Sequence, residues 1–256
     1  MAVLRTMLRE GLLLLAALPA LSAQAAYRWA PKTSFQYQLQ GSIRSTSSKV
    51  IFVDLFDTSS SKIASLKSQG KTVVCYFSAG TAENWRSDYK SYPSSVKGKS
   101  MEDWAGEKWV NLRSSTVLSI LVKRLDLARS KGCHGVDPDN VDGYSHNTGF
   151  SLKKSDTVTF LRNLASAAHE RGLGVGLKNS SEIASQVSGF LQWVVAEQCY
   201  EYNECGSYSS FVQRGKAVYI IEYRGYSSSE CSKAKSSQFS LIYADLDLDG
   251  TQKSCT

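Results

Sequence analysis

From Thr72 onward the chain alternates short apolar stretches with stretches of helical period, and few architectures accept that order. The apolar stretches are TVVCYFSAG (Thr72 to Gly80), HGVDPDN (His134 to Asn140), LGVGLKN (Leu173 to Asn179), WVVAEQ (Trp193 to Gln198), AVYIIEY (Ala217 to Tyr223) and FSLIYADL (Phe239 to Leu246). SFQYQLQ (Ser34 to Gln40) and KVIFVDL (Lys49 to Leu55) precede them, which makes eight. Near-continuous apolar strands belong to a sheet covered on both faces, and alternation with helices makes that sheet parallel. Two helices are clearest: Val117, Ile120, Leu121, Leu125 and Ala128 share one face, and Val158, Leu161, Leu164, Ala165 and Ala168 another. Each ends on Lys-Gly or Arg-Gly just before a strand, a helix-stop signal. Shorter helices are expected at Ile63 to Gln69, Ser181 to Val187, Ser209 to Gln213 and Ser228 to Ser236. Eight strands in this order predict an α/β fold closed as a single (β/α)8 TIM barrel. The first strand is followed by no glycine-rich phosphate loop, which weighs against a nucleotide-binding open sheet.

The N-terminus is read separately. Arg5 and Arg9 precede an apolar run that finishes on Ala23-Gln24-Ala25, the order of a secretory signal peptide. The run is short of the roughly 20 apolar residues that span a bilayer. Residues 1–25 are therefore expected to be a cleaved signal and 26–256 one barrel domain, secreted and extracellular, with no membrane attachment after signal removal. The six cysteines suit an oxidising compartment. Close spacing favours Cys199 with Cys205 and Cys231 with Cys255, leaving Cys75 with Cys133. The formal net charge of +7 is scattered, with no basic cluster interleaved with aromatics, so no nucleic-acid partner is expected. A monomer is expected.

Active residues of barrels gather at the C-terminal ends of the strands. Those ends supply Asp54, Ser78, Asp137, Asp139, Lys178, Asn179, Glu197, Glu222, Asp245 and Asp247. Asp137 and Asp139 share parity, so both are expected to face the barrel axis. Two opposed carboxylates can split a glycosidic bond, one as proton donor and one as nucleophile or base. The structural alternative is that these acids cap loops or pair with Lys178. Tyrosines and tryptophans near strand ends, among them Tyr76, Trp85, Trp104, Tyr144, Tyr200, Tyr202 and Tyr223, offer flat faces for sugars.

Other chemistries fit less well. No Gly-x-Ser-x-Gly elbow occurs, and the histidines are His134, His146 and His169, which gives little support to a serine or cysteine triad. Asp137 to Thr148 fails as a calcium loop, because its glycine falls one place late and Thr148 stands at the twelfth position. Asp245-Leu246-Asp247-Leu248-Asp249-Gly250 has calcium-loop spacing but runs out at Thr256. No metal and no cofactor are expected. The sequon Asn179-Ser180-Ser181 lies at a strand end facing the mouth and is expected to be unmodified.

Several ordered strings resemble the endo-alpha-1,4-polygalactosaminidase family, glycoside hydrolase family 114. They include Cys75-Tyr76-Phe77-Ser78-Ala79-Gly80-Thr81, Glu83-Asn84-Trp85-Arg86, Lys131 through Tyr144 with Asp137-Pro138-Asp139-Asn140 at its centre, Gly176-Leu177-Lys178-Asn179, Glu197-Gln198-Cys199 and Glu222-Tyr223. The resemblance implies hydrolysis of alpha-1,4-linked galactosamine polymers such as the partly deacetylated galactosaminogalactan of fungal and bacterial biofilm matrices. It also implies Asp139 as nucleophile and Glu197 as general acid/base. The sequence departs from the family pattern at Asp137, where Glu is common, and at His134, where Asp is common. The expected substrate contacts are Asp54, Tyr76, Ser78, Asp137, Asn140, Asp142, Tyr144, Lys178, Asn179, Glu201 and Glu222. Of these, Asp137, Asp142, Glu201 and Glu222 are expected to form an acidic mouth that attracts the ammonium groups of free galactosamine units. Two competing readings are a non-catalytic secreted carbohydrate-binding barrel and a metal-dependent phosphodiesterase barrel. By analogy with other alpha-glycosidase barrels, retention of configuration is expected over inversion.

Overall fold

The computed structural model describes residues 30–255, so the expected signal peptide lies outside the described residues. All eight expected strands form and run parallel, in the order β1 (Phe35–Tyr37), β2 (Val50–Asp54), β3 (Thr72–Ser78), β7 (Gly135–Asp139), β8 (Gly174–Lys178), β9 (Trp193–Glu197), β10 (Ala217–Glu222) and β11 (Ser240–Ala244). Helices α1 (Ser60–Ser68), α2 (Ser115–Lys131), α3 (Lys154–His169), α4 (Ala184–Val187), α5 (Ser209–Gln213) and α6 (Ser228–Ser236) return the chain between strands. The stop signal works as expected after α2, where Gly132 takes φ 88° and Cys133 N donates to Ala128 O at 3.0 Å.

Two features were not legible in the sequence. A three-stranded antiparallel sheet, β4 (Thr81–Glu83), β5 (Lys97–Ser100) and β6 (Glu107–Val110), is inserted between β3 and α2. The barrel also closes indirectly, because β12 (Gln252–Ser254) adds antiparallel to β11 and lies between it and β1. The Gln252 side chain does what a neighbouring strand would do: its Oε1 accepts from Tyr37 N at 3.2 Å and its Nε2 donates to Phe35 O at 2.9 Å. Leu39 N adds a bond to Leu248 O at 2.9 Å.

Strand alternation splits the core into two layers. Phe35, Tyr37, Phe52, Val74, Trp193, Val195, Tyr219, Ile221 and Ile242 fill the barrel, whereas Ile51, Val53, Val73, Val136, Val194, Val218 and Ile220 pack against the helices. Trp193 needs room across the axis. A Cβ on Gly176 would lie 2.1 Å from Trp193 Nε1, so the glycine is what admits the indole. Disulfides join Cys75 to Cys133, Cys199 to Cys205 and Cys231 to Cys255, the three expected pairs.

Candidate active site

Strand parity places Asp137 and Asp139 of β7, Lys178 of β8, Glu197 of β9 and Tyr76 of β3 on the inner face, which is also where Tyr37 and Tyr223 lie. Their heads converge at the C-terminal mouth. Lys178, 3% exposed, sits between two carboxylates, with Nζ 2.8 Å from Asp139 Oδ2 and 3.0 Å from Glu197 Oε2. Those two oxygens cannot be further apart than the two contacts laid end to end, about 5.8 Å.

Every other polar contact to the pair is a donor. Asp139 Oδ2 also accepts from Tyr76 Oη at 3.0 Å, and Oδ1 from Asn140 N at 2.7 Å. Glu197 Oε1 accepts a short bond from the Tyr223 hydroxyl, and Oε2 accepts from Asn179 Nδ2 at 3.1 Å. Asn179 closes its side of the site by accepting from Glu197 N at 2.8 Å. Asn140 and Asn179 leave the ends of β7 and β8 in the left-handed region, at φ 58° and 48°, which asparagine tolerates better than most residues. These turns set the backbone N–H of Asn140 against Asp139 and the side-chain amide of Asn179 against Glu197.

The environments push the proton affinities apart. Burial raises Asp139; Lys178 opposes it and the charge of Glu197 adds to it. Burial also works on Glu197, but there Lys178 and the hydrogen bonds from Tyr223 and Asn179 outweigh it and hold the carboxyl below its usual range. The Lys178 ammonium is penalised by burial, yet Asp139, Glu197 and Asp137 together push its pKa well above the ordinary value. Burial keeps Tyr37 and Tyr76 protonated, so both remain donors.

The other expected residues fall into three groups. Ser78 and Asn140 join the cluster, linked to each other at 2.9 Å. Asp142 and Tyr144 stand on the following loop, Asp142 against His146 at 3.2 Å and Tyr144 with its phenol pushed up to about 12 by burial. Glu201 is exposed on the β9 loop, bound by Gln198 Nε2 at 3.1 Å.

Three acids depart from the substrate contacts expected from the sequence. Asp137 is fully buried, one layer below Asp139. Its Oδ2 accepts from Tyr37 Oη at 2.8 Å, and burial first, with Asp139 adding, pushes its pKa up to about 7. Glu222 follows Val218 and Ile220 onto the outer face of β10. There it accepts from Tyr200 N at 2.8 Å and pairs with Arg224 at 3.3 Å, while Tyr223 takes the inward place. Asp54 has inward parity, but both its oxygens are taken by Arg86, at 2.6 and 3.2 Å, and its Oδ1 also by the amides of Phe56 and Asp57. Asp245 and Asp247 are exposed beyond β11, and Asp249 is engaged by Arg44 at 2.6 Å. No group of three or more acidic, histidine or cysteine side chains among the described residues is arranged to hold a metal ion.

Tyr37, Arg86 and Arg124 are not among the site residues expected from the sequence, and Tyr223 enters that expectation only as a flat face for sugars, not as a donor to Glu197. Arg124 gave a signal: it falls on the apolar face of α2, is 2% exposed, and donates to Ser78 O at 2.8 Å while gripping Asp88. Tyr223 had one too, in its alternation with Tyr219 and Ile221.

Comparison with known proteins agrees with this geometry. The model of glycoside-hydrolase family GH114 matches residues 18–256. The structure resembles the crystal structure of Aspergillus fumigatus Ega3 in complex with galactosamine, with 40% identity, 90% of this chain and 97% of that one covered, and a TM-score of 0.85. The glycoside hydrolase domain of PelA from Pseudomonas aeruginosa is similar in fold at 16% identity, with 88% and 98% covered and a TM-score of 0.66. Amy13B of Eubacterium rectale shares the barrel at 11% identity, with 83% and 63% covered and a TM-score of 0.52. No curated protein sequence matches the chain.

Proposed function

The chain belongs to glycoside-hydrolase family GH114 and is a glycoside hydrolase, and from that premise we propose that it is a secreted, endo-acting enzyme cleaving alpha-1,4-linked galactosamine polymers with Asp139 and Glu197. The observation that carries this reading is the pair itself: two carboxylates at the mouth of a barrel, joined through Lys178 so that the oxygens it holds are about 5.8 Å apart at most. Retaining glycosidases hold their carboxyl groups about 5–5.5 Å apart and inverting ones about 6.5–9.5 Å; one lysine bridging an oxygen of each carboxylate fits the closer, retaining arrangement and a double displacement. The galactosamine bound to Ega3 supports an amino-sugar substrate. Secretion is supported by the leader-like N-terminus and the three disulfides.

Asp139 acts as nucleophile. Three donors on its two oxygens, Asn140 N, Tyr76 Oη and Lys178 Nζ, fix the carboxylate and favour its ionised form. Glu197 acts as acid and then base. Its side chain is the more exposed of the two, 19% against 14%, so a sugar closing the mouth strips more water from it and raises its proton affinity. Formation of the glycosyl ester removes the charge of Asp139, which lowers the proton affinity of Glu197 for the second, base-catalysed step. A second reading exchanges the roles, and the resting asymmetry favours it, since Asp139 is raised and Glu197 lowered.

Asp139→Asn and Glu197→Gln, assayed by release of reducing ends from deacetylated galactosaminogalactan, test the pair. Both should lose activity by several orders of magnitude, and near-wild-type activity in either removes that residue. Azide rescue assigns the roles: an activated aryl galactosaminide gives a retained azide product with the acid/base variant and an inverted one with the nucleophile variant.

A further inference from the structure

A buried hydrogen-bond chain runs from the small antiparallel sheet to the residue beside Asp139. Asn140 Nδ2 lies 2.9 Å from Ser78 Oγ, Ser78 Oγ lies 2.5 Å from Thr81 Oγ1, and the Thr81 hydroxyl makes a short bond to Glu107 Oε2. Ser78 is 1%, Thr81 0% and Glu107 7% exposed. An amide nitrogen can only donate, and an ionised carboxylate can only accept. Ser78 therefore accepts from Asn140 and donates to Thr81, and Thr81 donates to Glu107. Each hydroxyl has a defined direction, and chains of this kind strengthen one another in a low dielectric.

The same segment is fastened through its backbone. Ala79 N and Gly80 N both donate to Asp139 O, at 2.8 and 3.0 Å, and Val110 N of β6 donates to Gly80 O at 2.9 Å. A Cβ on Gly80 would lie 1.5 Å from Asn140 O, so the turn into β4 is pressed onto the end of β7 with no room for a side chain. Glu107 stands opposite Glu83 in the β4–β6 ladder, which carries it into reach of Thr81.

We infer that Glu107 is a positioning residue for the cleavage reaction: acting through Thr81 and Ser78, it fixes the Asn140 amide so that its oxygen, an acceptor, is presented beside Asp139 to an amino or hydroxyl group of the sugar. No donor among the described residues occupies Asn140 Oδ1, which leaves it available for that contact. This rests on the reading of Asp139 as the reacting carboxylate.

The chain is sensitive to one proton. Burial pushes Glu107 up to about 7; the Thr81 bond and Arg86 lower it, and Glu83 and Asp139 raise it. Tyr76 of β3 also feels its charge and stays protonated. Once protonated, Glu107 can donate to Thr81, the direction of the chain is no longer fixed, and the Asn140 amide is free to turn its nitrogen outward.

The test uses Glu107→Gln, Glu107→Leu and Thr81→Val in the full-length protein, with thermal unfolding as the folding control and kcat/KM on a deacetylated oligomer across pH. Leucine and valine break the chain and should each cost about tenfold or more, the size of one lost buried hydrogen bond. Glutamine keeps an acceptor for Thr81 but cannot ionise, so it should stay within about threefold of wild type at pH 7.5 and abolish the acid limb near 7. Folded Leu and Val variants with wild-type kcat/KM overturn the inference. So does a Gln variant as impaired as Leu, or one that keeps the wild-type acid limb. If Thr81→Val fails to fold, the pH profile of Glu107→Gln decides alone. Asp139→Asn, assayed alongside, separates the failures: an active variant sinks the reading of the site, and an inactive one beside normal Glu107 variants sinks only this proposal.

Discussion

Replacing Lys178 by methionine removes the cation that bridges Asp139 and Glu197 while keeping most of the volume of its stem. The contacts of 2.8 and 3.0 Å each correspond to about 5–6 kcal/mol of attraction at an effective dielectric near 20. Desolvation of three groups cancels much of that. What the substitution exposes is the cost of two buried, mutually repelling carboxylates, about 3–5 kcal/mol for a broken buried pair. The sign with pH follows from the two directions. Glu197 is depressed in the folded protein, so its stabilisation is present above its unfolded value near about 4.3 and lost as pH falls through the folded one. Lys178 is raised, so its stabilisation is constant below about 10.4 and lost only as pH climbs through its folded value. Urea unfolding should therefore show the full deficit of Lys178→Met at pH 7.5 and a smaller one at pH 4, where protonation relieves the repulsion. An unchanged midpoint at pH 7.5, or a deficit that widens toward acid, would refute the ion triad as the organiser of the site.

Tyr223→Phe deletes a donor to Glu197 and should raise its proton affinity by up to about one pH unit; with Glu197 as acid the alkaline limb of kcat/KM moves up, whereas movement of the acidic limb instead would exchange the two roles. The Cys75–Cys133 bridge closes a long loop between β3 and the start of β7, and the double alanine variant should lose about 4 kcal/mol in chemical unfolding; a loss under about 1 kcal/mol would mean that the loop is not free in the unfolded chain. Gly176→Ala should cost about 1–3 kcal/mol or more, because its Cβ meets the Trp193 ring inside the barrel; a variant with unchanged melting temperature would show that the indole can shift.

The eight barrel strands were legible because each is an apolar run wide enough to be covered on both faces. The strands that were missed carry no such run: KGKS in β5 and QKS in β12 are polar edge segments, held by ladders that only the folded chain reveals. Asp139, Lys178 and Glu197 were legible because strand-end position and parity suffice to bring them to the mouth. Glu222 shows the limit of that rule. With period two, one residue decides the face, and the register that puts Tyr223 inward is set by pairing with β9 and β11. Tyr37, Arg86 and Arg124 escaped because their partners are tertiary; Tyr37 meets Asp137 from 100 residues away. Asp137 was placed on the correct face, but its depth, and so its raised proton affinity, depends on how far the loops build up the mouth above it.

The spacing of Asp139 and Glu197 is tested most directly by the anomeric configuration of the first product. Proton NMR should be recorded within seconds of mixing enzyme with a deacetylated alpha-1,4-galactosamine oligomer, before mutarotation. A pair whose Lys178-bound oxygens lie within about 5.8 Å of each other, working by double displacement, releases the alpha anomer first, with the beta signal growing only at the mutarotation rate. Initial release of the beta anomer would mean that water attacks directly, and would contradict a covalent intermediate on this pair.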